Sequence, residues 1–222
     1  MPPELDDRQR LAVGAAALGL SLDDATLDRL LAYRDLLLRW NQVYNLTAVR
    51  DPAQMITQHL LDSLAAVGPL RRHCAAQTPR ALRVLDVGSG GGLPGVVLAL
   101  TCPELTVVCV DTVAKKAMFL RQVAAELKLP NLQSRHARVE SLQEPGFDVV
   151  TSRAFASLAD FVALTRERLA PGGVWMAMKG PGAEAERAAL PPDCEVTAIE
   201  PLDVPGLGAQ RCLAWMRPAA SY

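Results

Sequence analysis

The stretch Leu82-Arg83-Val84-Leu85-Asp86-Val87-Gly88-Ser89-Gly90-Gly91-Gly92-Leu93-Pro94-Gly95 decides the fold. Leu82–Val87 is a short apolar run closed by glycines, which predicts a buried strand that turns sharply into a helix. Leu93-Pro94 sets a proline near the first turn of that helix, where a missing N–H is harmless. Toward the C-terminus, Leu105–Val110 reads as a second buried strand and Lys115–Leu127 as a second helix. Leu132–His136 and Phe147–Thr151 read as further strands, and Ser157–Leu169 as a helix opened by Ser157-x-x-Asp160. Pro171-Gly172-Gly173 then turns into the strand Val174–Met178. Cys194–Ile199 and Arg211–Met216 have no helix between them and are expected to pair antiparallel. Strands alternating with helices predict a doubly wound, Rossmann-like parallel sheet, here closed by a C-terminal antiparallel strand.

Toward the N-terminus the rhythm is helical, with no strand-like run bounded by turns. Ser21-Leu22-Asp23-Asp24 has the form of a helix start, and Leu27, Leu30, Leu31, Leu37 and Leu38 follow at helical spacing. Met55–Leu64 reads as another helix, which Gly68-Pro69 is expected to end. The polar stretch through Gln77-Thr78-Pro79 divides an N-terminal helical extension, 1–78, from a sheet domain, 79–222.

A chain of 222 residues that is 50% hydrophobic and 21% charged suits a globular fold and excludes a disordered one. The first residues lack the basic and then apolar pattern of a secretory signal, and no apolar run is long enough for a membrane span. Five cysteines (74, 102, 109, 194 and 212) show no Cys-x-x-Cys pair. They read as small buried hydrophobes in a reducing cytoplasm, with neither a disulfide framework nor a metal site expected. The net charge of −1 gives no global field toward nucleic acid, although residues 111–154 carry seven bases against five acids. A local basic face and ordinary solvated helix surfaces both fit that count.

In an open α/β sheet, ligands sit at the carboxyl ends of the strands. The glycines at 88, 90, 91 and 92 let the backbone turn tightly and bring its N–H groups against a ligand. Asp111, at the end of the second strand, is placed to accept from the ribose hydroxyls of an adenosine. Gly90-Gly91-Gly92-Leu93-Pro94-Gly95 satisfies the dinucleotide fingerprint G-x-G-x-x-G, so a nicotinamide-dependent oxidoreductase is one reading. Three features favour S-adenosylmethionine instead. Asp86 precedes the loop, where it can meet a methionyl group and would repel a pyrophosphate. The downstream chain is too short for a separate substrate domain, and the late hairpin has no role in a dinucleotide fold. A class I methyltransferase is therefore expected.

Several blocks resemble one family. They are Trp40-Asn41-Gln42-Val43-Tyr44-Asn45-Leu46-Thr47, His59-Leu60-Leu61-Asp62-Ser63, and Asp86 through Gly95. Phe119-Leu120, Ser152-Arg153-Ala154-Phe155-Ala156-Ser157-Leu158 and Lys179-Gly180 follow in order. The chain is similar in these to the RsmG (GidB) family, from about residue 20 to 180. The resemblance implies methylation at N7 of a single guanine in 16S ribosomal RNA, with S-adenosylmethionine as donor. Its cofactor positions carry over onto Gly88, Leu93, Val139, Glu140 and Arg153. Gly91 stands where many members have proline.

The chemistry implied needs no general base, because N7 of guanine carries a free lone pair at neutral pH. Arg153 is expected to orient the cofactor or a phosphate, since a guanidinium on O6 and N7 would occupy the nucleophile. Lys115, Lys116, Arg121 and Lys179 are candidate contacts to RNA, and solvated side chains are the alternative reading. Trp40, Tyr44 and Phe155 are either stacking platforms or core. The substrate would be the small ribosomal subunit or an assembly intermediate, met by a cytosolic monomer without a membrane partner. A non-catalytic RNA-binding protein is a third reading, weakened by the near-neutral charge.

Overall fold

A computed structural model describes residues 5–77, 81–144, 146–153, 155 and 157–219. Seven strands form one sheet: β1 Arg83–Val87, β2 Thr106–Asp111, β3 Leu132–His136, β4 Phe147–Ser152, β5 Leu169–Lys179, β6 Cys194–Leu202 and β7 Arg211–Pro218. Their order is β3-β2-β1-β4-β5-β7-β6, parallel throughout except for β7, which pairs antiparallel with both β5 and β6. The chain starts its parallel strands at β1, in the middle, and winds outward in both directions. The switch between β1 and β4 opens a crevice at their carboxyl ends.

The helices in chain order are α1 Asp7–Ala17, α2 Asp24–Tyr44, α3 Pro52–Met55, α4 Asp62–Leu64, α5 Val67–Ala75, α6 Gly95–Thr101, α7 Ala114–Glu126, α8 Leu158–Thr165 and α9 Ala183–Glu186. A π-helical turn, Ile56–Leu61, joins α3 to α4. The cap of α2 is Asp23, which accepts from Thr26 N at 2.8 Å, and not Ser21. A carboxylate one residue from the helix serves better than a hydroxyl three residues away. Ser157 does cap α8, accepting from Asp160 N at 3.0 Å. Gly68-Pro69 lies in the first turn of α5 and does not end a helix, because a proline is tolerated where no N–H partner is required.

The junction expected at 78/79 lies outside the described residues. On either side of it there is one continuous core. Leu30, Leu37, Ile56 and Leu64 from the N-terminal helices share a cluster with Val84, Val97, Phe119 and Leu120 of the sheet and its helices. Trp40 packs on Phe119 with ring centroids 5.5 Å apart, so its core role is the one realised. Tyr33 is fully buried and donates through its hydroxyl to the carbonyl of Gly91 at 2.6 Å. Helix α2 is thereby tied to the glycine loop.

Removing that hydroxyl leaves a buried carbonyl unsatisfied. Tyr33→Phe is expected to lower stability by about 1–2 kcal/mol, measured by urea unfolding. A loss no larger than that of an exposed substitution would mean the carbonyl finds another partner.

Candidate active site

The loop after β1 is shaped from below by Asp86. This side chain is completely buried, and its Oδ2 accepts from Gly95 N at 2.9 Å. A Cβ on Gly95 would stand 2.7 Å from that oxygen and 2.4 Å from Cys109 Sγ, so only glycine lets the helix start so close. Burial pushes the Asp86 carboxyl up to about 7, opposed by the Gly95 hydrogen bond and by the charge of Arg153. Asp86 does not line the cleft above it. Its Oδ2 holds the loop, and its buried Oδ1 has no partner among the described residues. Leu93 is also in the core and not on the cleft wall.

That cleft has a volume of about 580 Å³ and runs along the carboxyl ends of β1 and β2. Gly88 and Asp111 form its floor, Val113 and Lys116 one side, and Val139 with Glu140 another. Gly88 has φ +66°, and a Cβ added there meets nothing within 4 Å. The space a side chain would take is left to a ligand. Asp111 is 6% exposed, and its carboxylate accepts from Gly90 N at 2.9 Å through Oδ2 and from Val113 N at 2.9 Å through Oδ1. A carboxylate has about four acceptor sites. Two are used by the backbone, which leaves capacity for a pair of hydroxyls.

Lys116 lies 3.6 Å from Asp111 Oδ2. It lines the same cleft as that carboxylate. Lys115 rests over the ring of Tyr44 at 5.1 Å, and Arg121 is exposed on α7. Lys179 pairs with Glu186 at 2.7 Å. Phe155 lines the cleft and packs against Phe161 with centroids 5.3 Å apart.

Arg153, after β4, is close enough for its charge to act on Asp86 and on Tyr33. Its Nη1 donates to Gln58 O and to Asp62 Oδ2, each at 2.9 Å, and it lines a second cleft of about 600 Å³. Asp62 is 1% exposed and also accepts from Arg211 Nε at 3.0 Å. Sequence reasoning quoted Asp62 only within a block and did not single out Arg211. The pairing spans 149 positions and leaves no local signal.

The block at 40–47 ends α2 and folds back on that helix end. Asn45 takes φ +50° to end α2, and Asn41 Oδ1 accepts from Thr47 N at 2.9 Å. Thr47 Oγ1 then meets His59 Nε2 at 2.8 Å. Burial lowers the pKa of His59 and so favours the neutral imidazole. Among the described residues no group of three or more metal-binding side chains occurs, and no helix is long and apolar enough to cross a membrane.

The sheet order, the glycine loop and the half-used Asp111 carboxylate define a class I S-adenosylmethionine-dependent methyltransferase. Solved structures share the fold. A ribosomal protein L11 methylase from Lactobacillus delbrueckii subsp. bulgaricus matches with TM-score 0.54 and 14% identity, over 72% of this chain and 79% of that one. A SAM dependent methyltransferase from Aquifex aeolicus matches with TM-score 0.52 and 16% identity, over 74% and 98%. Residues 26–214 match the family described as GidB, rRNA small subunit methyltransferase G. Relatives named Ribosomal RNA small subunit methyltransferase G are 62% identical in Leptothrix cholodnii, over 96% of both chains, and 61% identical in Methylibium petroleiphilum, over 94% and 93%. The chain belongs to the rRNA small subunit methyltransferase G family. The oxidoreductase and non-catalytic readings are set aside.

Two substitutions separate floor from foundation. Asp111→Asn is expected to weaken S-adenosylmethionine binding about tenfold, read by equilibrium dialysis, and unchanged affinity would remove the ribose role. For Asp86 the sign is that of an acid with a raised folded pKa. Its contribution is fully present below the unfolded value near 4 and is lost as pH climbs to about 7. Asp86→Asn keeps an acceptor for Gly95 without a charge. Its stability relative to the parent protein is therefore expected to improve between pH 5 and pH 8 by as much as about 3 kcal/mol. A difference that stays constant across that range would mean the carboxyl ionises normally.

Proposed function

We propose that this chain transfers a methyl group from S-adenosylmethionine to N7 of a single guanine in 16S ribosomal RNA. The observation that carries the reading is the cleft at Gly88 and Asp111, in a chain 62% identical to a relative named for methylating small-subunit ribosomal RNA. Asp111 would hold the ribose hydroxyls and Glu140 the adenine amino group, with Val139 supplying apolar contact. Gly88 leaves the backbone open to the methionyl portion. When bound, the cofactor supplies an electrophilic methyl group on a sulfonium.

Guanine N7 attacks with its own lone pair, so the chain need not remove a proton. Among the described residues, the first cleft is lined by no histidine or cysteine, which suits that chemistry. Rate then comes from holding N7 in line with the departing bond and from excluding water. Phe155 and Leu164 give the cleft an apolar wall near the site of transfer. A cation stacked on the guanine ring would oppose the charge that develops there. Arg153 has a carboxylate partner of its own in Asp62.

The substrate proposed is the small subunit or an assembly intermediate, met in the cytosol by a single copy of the chain. Incubation with labelled S-adenosylmethionine and small subunits lacking the modification should place one label per subunit on a guanine N7, mapped by cleavage at the alkylated base. Label on a base carbon, or on protein, would overturn the reading. Arg153→Lys should reduce transfer at least tenfold while the unfolding curve stays close to that of the parent. A lysine cannot bond Gln58 and Asp62 in the same geometry.

A further inference from the structure

The second cleft is built differently from the first. Arg153 follows β4, Lys179 ends β5 and Arg211 begins β7, so three cations meet at the carboxyl ends of β4 and β5. The carboxylate beneath them is Asp62, which takes Arg153 on one oxygen at 2.9 Å and Arg211 on the other at 3.0 Å. Lys179 is neutralised by Glu186. Three cations against two carboxylates leave the cluster one positive charge in excess.

The guanidiniums are also only partly used. Arg153 spends Nη1 on Gln58 and Asp62, and Arg211 spends Nε on Asp62 and Nη1 on Gln210 O. Among the described residues, the Nη2 groups of both have no partner. Their side chains are 23% and 29% exposed, held at a cleft mouth and not free in solvent. A carboxylate that fixes two guanidiniums preorganises them, so little side-chain freedom is left to lose when an anion arrives. The π-helical turn Ile56–Leu61 runs into Asp62 and presents both Gln58 and His59 to the same cleft. Such turns occur often at functional sites.

The two clefts are neighbours. Lys179 Nζ, in the second, lies 3.5 Å from the carbonyl of Phe155, whose residue lines the first. We infer that the second cleft binds a backbone phosphate of the RNA strand beside the target guanine, with Arg153 and Arg211 as the donors. Asp62 is a positioning residue that sets the fork. The assignment rests on the reading that the chain methylates ribosomal RNA. It adds where the strand is held, and it gives Arg211 a function that the cofactor cleft does not.

The test uses Arg211→Gln and Arg211→Lys, because Arg211 is more exposed than Asp62 and lies outside the cofactor cleft. Labelled S-adenosylmethionine binding to the full chain is measured first. Affinity for small subunits lacking the modification is then measured as a function of salt. For Arg211→Gln the expected result is cofactor affinity within twofold of the parent, KM for the subunit raised about tenfold, and kcat changed less than KM. The slope of log affinity against log salt should fall by about 0.7–0.9, the loss of one phosphate contact. Arg211→Lys should restore the slope and only part of the affinity, since it keeps the charge without the fork. An unchanged KM and slope would overturn the inference, as would a loss of cofactor binding and stability alongside them. If the parent protein itself binds no S-adenosylmethionine, the methyltransferase reading fails instead, which is a separate result.

Discussion

The hydrogen bond from Gly95 N–H to the buried Asp86 carboxylate is the constraint on which the site depends. It joins the end of β1 to the start of α6 at a distance that no side chain at residue 95 would permit. With the helix start fixed there, the loop between must rise over Asp86, and Gly88 comes to face open space. Gly90 N is then presented to Asp111 at the end of β2. One buried acid thus organises the second, and the second faces the ligand. The energetic cost is visible in Asp86 itself, whose carboxyl is held near pH 7 by burial. A group so poorly solvated persists because its hydrogen bond defines the loop.

The N-terminal helices complete this arrangement from above. Tyr33 fastens the carbonyl of Gly91, so α2 bears directly on the glycine loop. From the end of the same helix, Asn41 folds the next residues back until Thr47 reaches His59. His59 sits in the π-helical turn that leads to Asp62. The helical segment is therefore continuous with the site on two sides, through the loop and through the arginine fork. The shared core makes the same point in packing terms.

The sheet was legible in the sequence because each of its signals is local. The apolar run before the glycines becomes β1, and the late hairpin follows from two β segments without a helix between them. Gly88 and Asp111 could also be found, since a glycine loop and an acid at the end of the next strand are a spaced pattern. Asp86 was placed correctly in the chain, but its bond to Gly95 was not foreseen. Sequence gives a residue's position on a strand but not the depth to which its carboxylate is buried. Lys116 turned inward for a related reason: one helical turn carries it over Asp111, while its neighbour Lys115 faces Tyr44. The pairing of Asp62 with Arg211 leaves no such trace, because antiparallel β7 returns to it from the far end of the chain.

The division between the two clefts has a chemical logic. In a displacement at a sulfonium, positive charge moves from the donor to the guanine as the bond forms. A guanidinium against the ring would resist that movement, yet an RNA strand cannot be held without cations. The fold separates the two requirements across a short distance. The first cleft keeps its lysine on Asp111, and sets Phe155, Val139 and Leu164 beside the charged side chains of Arg138, Glu140 and Asp160. The second keeps its arginines on Asp62, with Phe155 and Lys179 standing between. On the proposed reading, attraction for the strand is exerted on its phosphates at the second cleft, apart from the cleft that takes the cofactor.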